Sequence, residues 1–335
     1  MNLFSRICPC CNTKEIHIHT HYKTQAHGPR TIYHCANCGI YFSETVETPL
    51  AGLKTPVSRI ITILKARTDG MGLNATARTF SVSKKSVIDW EKRLGELKPT
   101  LMLYTMLHEF IHQDIEGDEL YTKVAKNVAP SVSEGWTIVL MEQASGFLWE
   151  LHCGRRNQQL FEKALTCLAQ VIEKTGSLNL LTDGERRYSN LLFEICHDLI
   201  LSGRPGRPKR RLRKGVRVRL KNKGSQKRPG RKRQKYQAPI PEHPETQHDV
   251  TEQTIHANHV EAFNASIRRR NAAFRRKTNT YAKSRKDLQR TLDVYWLVHN
   301  FVRVHFTTKM VPAVHLGILS VGISWPQLLT IRYAV

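Results

Sequence analysis

Ser177-Leu-Asn-Leu-Leu-Thr182-Asp183-Gly184 is a short apolar run that ends in an acid and a glycine. It reads as a buried strand with Asp183 at its carboxyl end, where the chain turns. Just upstream, Leu160, Ala164, Cys167, Leu168, Val171 and Ile172 form one helical stripe, stopped by Gly176. Before that, residues 136–142 and 147–153 read as a hairpin around Gln143-Ala-Ser-Gly146, and alternating apolar residues surround Asp118 within 109–124. Tyr188, Leu191, Leu192 and Ile195 mark a further helix downstream. Three strands, a helix, a strand and then helices make an α/β pattern. The helical crossover lets the strand before Asp183 lie parallel to the strand of Asp118. Functional groups gather at the carboxyl ends of such strands, so the two aspartates are expected as neighbours.

Two unpaired carboxylates repel at neutral pH unless a cation joins them. Oxygen ligands without nearby Cys or His favour Mg²⁺ or Mn²⁺. A third acid is offered by Asn258-His-Val-Glu261-Ala-Phe-Asn264, on a helix whose Val260, Phe263 and Ile267 form the buried stripe. Asn258, Glu261, Asn264 and Arg268 run along an adjacent face at three- and four-residue spacing, and Arg268, Arg269 and Arg270 extend that end toward a phosphate backbone. Two ions about 3.5–4 Å apart on Asp118, Asp183 and Glu261 suit phosphodiester chemistry.

The composition agrees with a polyanion partner. The 335 residues suffice for about two ordinary domains, are 40% hydrophobic and 24% charged, and carry a formal charge of +24. Residues 203–235 hold seventeen Lys and Arg and no acid, and residues 261–290 hold ten against two, so the rest of the chain is close to neutral. Charge concentrated in two segments is the footprint of nucleic-acid binding. No apolar stretch is long enough to span a membrane, and the N-terminus lacks a signal-peptide core, so a cytoplasmic and not a secreted protein is expected. Eight cysteines then point to metal or buried thiols before disulfides.

Four of them lie in two Cys-x-x-Cys knuckles, Cys8/Cys11 and Cys35/Cys38. Their spacing suits a tetrahedral Zn²⁺, with Cys10 an alternative to Cys8 or Cys11 and His34 to Cys35. So small a segment cannot bury enough core, and metal would supply folding energy of order 10–16 kcal/mol. Four thiolates leave no open position for catalysis. Residues 57–94 then read as helices around a turn at Ser81-Val82-Ser83, with Val87, Ile88, Trp90 and Leu94 inward. Lys84, Lys85, Ser86 and Asp89 face outward at the start of the second helix, where a recognition helix meets DNA.

Zinc knuckles, helix-turn-helix, Asp118-Glu119, Leu181-Thr182-Asp183-Gly184 with Tyr188, and Val260-Glu261-x-Phe-Asn264 before an Arg-rich helix follow one another in order. Together they resemble bacterial DDE transposases of the insertion sequence 1 type, across the whole chain except residues 202–250. The resemblance implies an RNase H-like core (a mixed sheet with helices) with Asp118, Asp183 and Glu261 as catalytic acids. It also implies cleavage at transposon end repeats, joining of 3′-hydroxyls to target DNA, and an assembly of at least two copies. Residues 298–305 with Val311-Pro312-Ala313 are similar to the tail of many related transposases.

The domains expected are a zinc ribbon (1–48), a helix-turn-helix (49–100), a catalytic core in two parts (101–201 and 251–335) and a basic insertion (202–250). That insertion accounts for the departure from the family, a gap of 78 residues from Asp183 to Glu261. Glu242 or Glu252 are alternatives to Glu261, and Glu119 is an alternative supporting acid. Gly203-Arg-Pro-Gly206-Arg-Pro resembles an AT-hook, with Arg204, Arg207, Lys209 and Arg210 reaching a narrow minor groove. Without aromatics or acids near it, the tract is expected to be disordered when free. A DNA-binding regulator or architectural protein, and a stand-alone nuclease of similar fold, are the competing readings. Three converging acids argue against the first, and two DNA-reading modules against the second.

Overall fold

A computed structural model describes all residues except 1–2, 4–5, 26–27, 110–112, 126–127, 202–205, 223–236, 242–258, 276–278 and 335. The cysteine-bearing segment forms an antiparallel three-stranded sheet of β1 (Ile16–Thr24), β2 (Gly28–Cys35) and β3 (Tyr41–Ser43). Its small core is Tyr33 and Phe42 with the cysteines. Next come α1 (Val57–Thr68), α2 (Leu73–Thr79) and α3 (Lys84–Gly95). Ser83 starts α3 by accepting the Ser86 N–H at 3.0 Å, the capping expected of it. Val87, Trp90 and Leu94 are buried, and Lys84 and Lys85 are exposed. Glu91, also buried, pairs with Arg67 of α1 at 2.6 Å and with Arg290 of the core at 3.2 Å. These helices are therefore fastened to the core by charge as well as by apolar contact.

After α4 (Lys98–Met106) the central sheet begins with β4 (Gln113–Tyr121), β5 (Trp136–Glu142) and β6 (Leu148–Gly154). Helix α5 (Gln158–Thr175) is capped by Asn157 and ended by Gly176 in the left-handed region at φ 63°. It carries the chain over to β7 (Leu178–Thr182), which pairs parallel to β4. Then follow α6 (Arg186–Ile195), β8 (His197–Ile200), β9 (Lys209–Leu212), β10 (Val216–Asn222) and β11 (Gln237–Pro241). The chain closes with α7 (His259–Arg270), a 3₁₀ turn, α8 (Arg285–Phe301), α9 (Pro312–His315) and α10 (Trp325–Thr330). The sheet has six strands in the order β11-β10-β7-β4-β5-β6, so the mixed α/β architecture is as expected. Among the described residues no helix is long and apolar enough to cross a membrane.

The expectation of a disordered basic insertion does not hold for its described residues 206–222 and 237–241; residues 202–205, 223–236 and 242–250 lie outside the described residues. Strand β10 pairs parallel to β7 from Val216↔Leu178 to Leu220↔Thr182, and β9 pairs with β8. Val216 and Val218 are buried, and they alternate with Arg217, Arg219 and Lys221. That period of two puts the valines on one buried face, and the other face is covered as well at Arg219 and at the Lys221 side chain. Of the AT-hook-like segment, Gly203, Arg204 and Pro205 lie outside the described residues, while Lys209 and Arg210 belong to the paired strand β9 and Arg210 binds Glu194 at 2.8 Å.

The open edge of β6 is covered by α8. The Gln289 and Asn300 amides accept from the Cys153 and Leu148 N–H groups and donate to the Leu151 and Leu148 carbonyls, and Trp296 Nε1 donates to Leu148 as well. Side chains thereby replace a missing strand. His299 and Asn300 of the expected tail motif serve packing and this edge, consistent with no catalytic role.

Candidate active site

Three parallel strands end together. The β4–β7 register closes at Glu116↔Leu181 and the β7–β10 register at Thr182↔Leu220. Asp118, Asp183 and Lys221 each follow those pairs by one or two residues, so all three leave the same edge of the sheet. Gly184, at φ 100°, turns the chain out of β7, and Glu185 then caps α6 by accepting the Arg187 N–H. Gly117 leaves room for Tyr188, whose ring would stand 3.3 Å from any Cβ at that position.

Helix α7 crosses this edge. Asp118 accepts from its own neighbour's amide, Glu119 N, at 2.9 Å and from Asn264 Nδ2 at 2.7 Å. Asn264 and Glu261 are three residues apart on α7, so the face that touches Asp118 also carries Glu261. Burial pushes the Asp118 carboxyl up; Asp183 and Glu261 push it further, and the Lys221 ammonium opposes them. Asp118 therefore feels the charge of both other acids. Asp183 and Glu261 are exposed to solvent, and Asp118 is half-buried.

Sequence reasoning missed Glu116. It is fully buried, and its carboxylate meets His259 Nδ1 at 2.9 Å, Val260 N at 3.1 Å and Lys221 Nζ at 3.5 Å. Burial alone would raise its pKa, but the His259 hydrogen bond, the Lys221 charge and the Val260 amide together hold it below the ordinary carboxylate range. Glu116 thus fixes the first turn of α7, one residue before Glu261. An available signal was the acid itself in a strand otherwise flanked by apolar residues, Ile115 and Gly117. Glu119 lies on the other side of Asp118 and binds Arg156 at 3.1 Å, which also binds Glu185 at 3.0 Å. Burial first, and the Asp183 charge next, push Glu119 up to about 7. Glu242, Glu252, Asn258 and Arg204 lie outside the described residues.

The Asp118 carboxyl, raised by burial first and then by the Asp183 and Glu261 charges against the Lys221 ammonium, suits hard divalent ions that would relieve the repulsion. The cysteine cluster suits a different metal. The Sγ atoms of Cys8, Cys11, Cys35 and Cys38 all lie within 4.8 Å of one another. Cys8–Cys38 is 3.4 Å and Cys11–Cys35 is 3.6 Å, near the roughly 3.8 Å between thiolates of a tetrahedral zinc. Cys10 is exposed, and the His34 ring packs on Tyr41 at 4.6 Å, so neither joins the cluster.

Of the residues expected on DNA, Lys84, Lys85, Arg207, Lys209 and Arg269 are exposed, whereas Ser86, Arg268 and Arg270 are partly covered. Ser86 Oγ is also engaged with Ser83 at 2.8 Å.

No family model and no curated protein matches the chain. Among solved structures, a pre-cleavage Mos1 transpososome is similar at 13% identity over 40% of this chain and 56% of that chain, with a TM-score of 0.17. The Mos1 mariner paired-end complex with Mn gives 12%, 39%, 54% and 0.16, and the Mos1 transposase paired-end complex with left transposon end gives 14%, 39%, 54% and 0.15. The chain spans about half the length of these transposase chains. Superposition this limited carries no weight for the chemistry, which rests on the residues described above.

Proposed function

We propose that the chain is a DNA transposase of the DDE class, with Asp118, Asp183 and Glu261 as its catalytic acids on an RNase H-like core. The observation that carries the reading is the convergence of acids from β4, β7 and α7, with Asn264 holding Asp118 from the same helix face as Glu261. Its finer form is an enzyme of the insertion sequence 1 type, which binds transposon end repeats, cuts there and joins 3′-hydroxyls to target DNA as at least a dimer. Residues 1–48 would serve as a zinc ribbon, 49–100 as a helix-turn-helix reader, and 101–201 with 251–335 as the catalytic core, completed by β10 from the insertion.

Divalent ions held by the three acids would activate the attacking hydroxyl and stabilise the leaving oxygen. The remaining work falls to the chain itself. Asn264 orients the Asp118 carboxylate, and Glu116 anchors the turn that presents Glu261. Lys221 offsets part of the negative charge, while Arg268, Arg269 and Arg270 lie one to two turns along α7 to receive phosphates. The test is strand cleavage and joining by the purified full chain with Mg²⁺ or Mn²⁺, on duplexes carrying the DNA that flanks its coding region. Nicking at the ends followed by joining supports a transposase. Cleavage without joining selects the nuclease, and binding without either selects the regulator.

A further inference from the structure

The face of α7 turned away from the acids borders a cavity of about 750 Å³, closed on its other sides by the β5–β6 turn and residues 299–308. That volume is within the roughly 300–1,000 Å³ of small-molecule sites. Its polar lining is unbalanced. Arg303 gives Nη2 to Asp69 at 2.6 Å and to the Thr68 carbonyl at 3.3 Å, but its Nη1 is buried without a partner, as is His305 Nδ1. Among the described residues no carboxylate pairs with Arg269 or Arg270, which also line the cavity. The two acids in the wall are already engaged: Glu142 accepts from the Ala144 and Ser145 amides, and Asp114 accepts from Asn179 Nδ2 at 2.6 Å. The buried Arg303 Nη1 without an acceptor, beside guanidinium groups with no carboxylate partner among the described residues, calls for an anion such as phosphate. The rest of the wall mixes polar Gln143, Ser266 and Thr308 with Met141 and Phe263, and at the rim stands Phe306, 83% exposed with the Lys309 ammonium 4.1 Å from its ring. An exposed aromatic face beside a cationic pocket is the pairing that nucleobases use.

We infer that this cavity binds a single nucleotide, its phosphate on Arg270 and Arg303 and its base against Phe306. The nucleotide is either free or lifted from a DNA strand, and the second source rests on the DNA-processing reading. A helix is only about 10–12 Å across with its side chains. A strand whose phosphodiester lies at the acids therefore reaches the cavity with a neighbouring nucleotide. Unpaired bases enter such pockets most readily, because no pairing is lost.

The experiment measures affinity of the full chain, without divalent ions, for a fully paired duplex and for the same duplex with one unpaired thymidine. Thymidine 5′-monophosphate, thymidine and inorganic phosphate serve as competitors. The expected result is at least a tenfold preference for the bulged duplex, erased by the monophosphate and not by thymidine or phosphate alone. Arg303→Gln, and Ala144→Trp placed in the exposed turn to fill the cavity, should both bring the preference to one. A preference that the monophosphate does not erase assigns the site to DNA-borne nucleotides. Monophosphate binding without a preference assigns it to free ones. Neither effect, or effects that both variants leave intact, overturns the proposal. Because no chemistry occurs in this assay, failure of strand cleavage elsewhere leaves its outcome untouched.

Discussion

Asp118, Asp183 and Glu261 stood out in the sequence because each sits in a recognisable pattern: within a strand, just past the end of a strand, and on a helical face. Substituting Asp118→Asn, Asp183→Asn or Glu261→Gln is expected to abolish cleavage and joining while leaving duplex binding nearly intact in a mobility-shift titration. Chemistry retained in all three variants would dismiss the assignment. Glu116 was not legible, since nothing in its neighbourhood along the chain announces partners 105 and 143 residues away. Removing it as Glu116→Ala leaves the Lys221 ammonium buried without its carboxylate, a change that costs about 3–5 kcal/mol in comparable cases. Urea denaturation reads the loss, and a cost near zero would show that the contact is incidental. His299 gives a pH signature. It is buried, donates Nε2–H to the Gly146 carbonyl, and its pKa is held down at about 3 by burial, with His305, Arg303 and Arg270 adding to the effect. The unfolded chain takes up a proton near pH 6.5 that the folded chain refuses, so this contribution is complete above that pH. It falls by up to about 1.4 kcal/mol per unit as the pH drops from 6.5 toward 3. Denaturation midpoints of wild type and His299→Gln, compared between pH 7 and pH 5, should show a shallower acid loss in the variant; equal slopes would contradict it.

At the scale of elements, periodicity revealed the hairpin, α5 and β7, because their apolar residues stand out against polar neighbours. Strand β10 was hidden by composition. Val216, Val218 and Leu220 alternate as a strand should, but the surrounding Lys and Arg made the whole tract read as solvated. What decides its fate is the partner β7, which only the tertiary fold supplies. Val218→Ala should therefore cost about 2 kcal/mol as a core truncation, whereas a value near zero would detach β10 from the sheet. The four-cysteine cluster was legible for the opposite reason, since the spacing of cysteines is itself the geometry. Cys8→Ser or Cys35→Ser should each lower the zinc content measured by atomic absorption and weaken binding to end sequences. Full stoichiometry in both would undo the metal site.

Across the whole molecule, the readers and the core are joined by more than linkers. Glu91 bridges α1 to α8, and near the C-terminus Tyr333 N donates to the Glu47 carbonyl at 2.9 Å, while its hydroxyl donates to Arg93 O at 3.0 Å. Helices α1 and α3 and the body that carries the acids are thus fastened into one unit. Charge alone pointed to a polyanion but not to the division of labour, because part of the basic tract is engaged within the protein, Lys221 with Glu116 and Arg210 with Glu194. The account turns on whether three acids from β4, β7 and α7 hold divalent ions together. Manganese binding to the full chain on duplex DNA, followed by electron paramagnetic resonance, addresses that directly. Wild type should bind Mn²⁺, and Asp118→Asn, Asp183→Asn and Glu261→Gln should each weaken it at least tenfold; undiminished binding in all three would contradict the shared site.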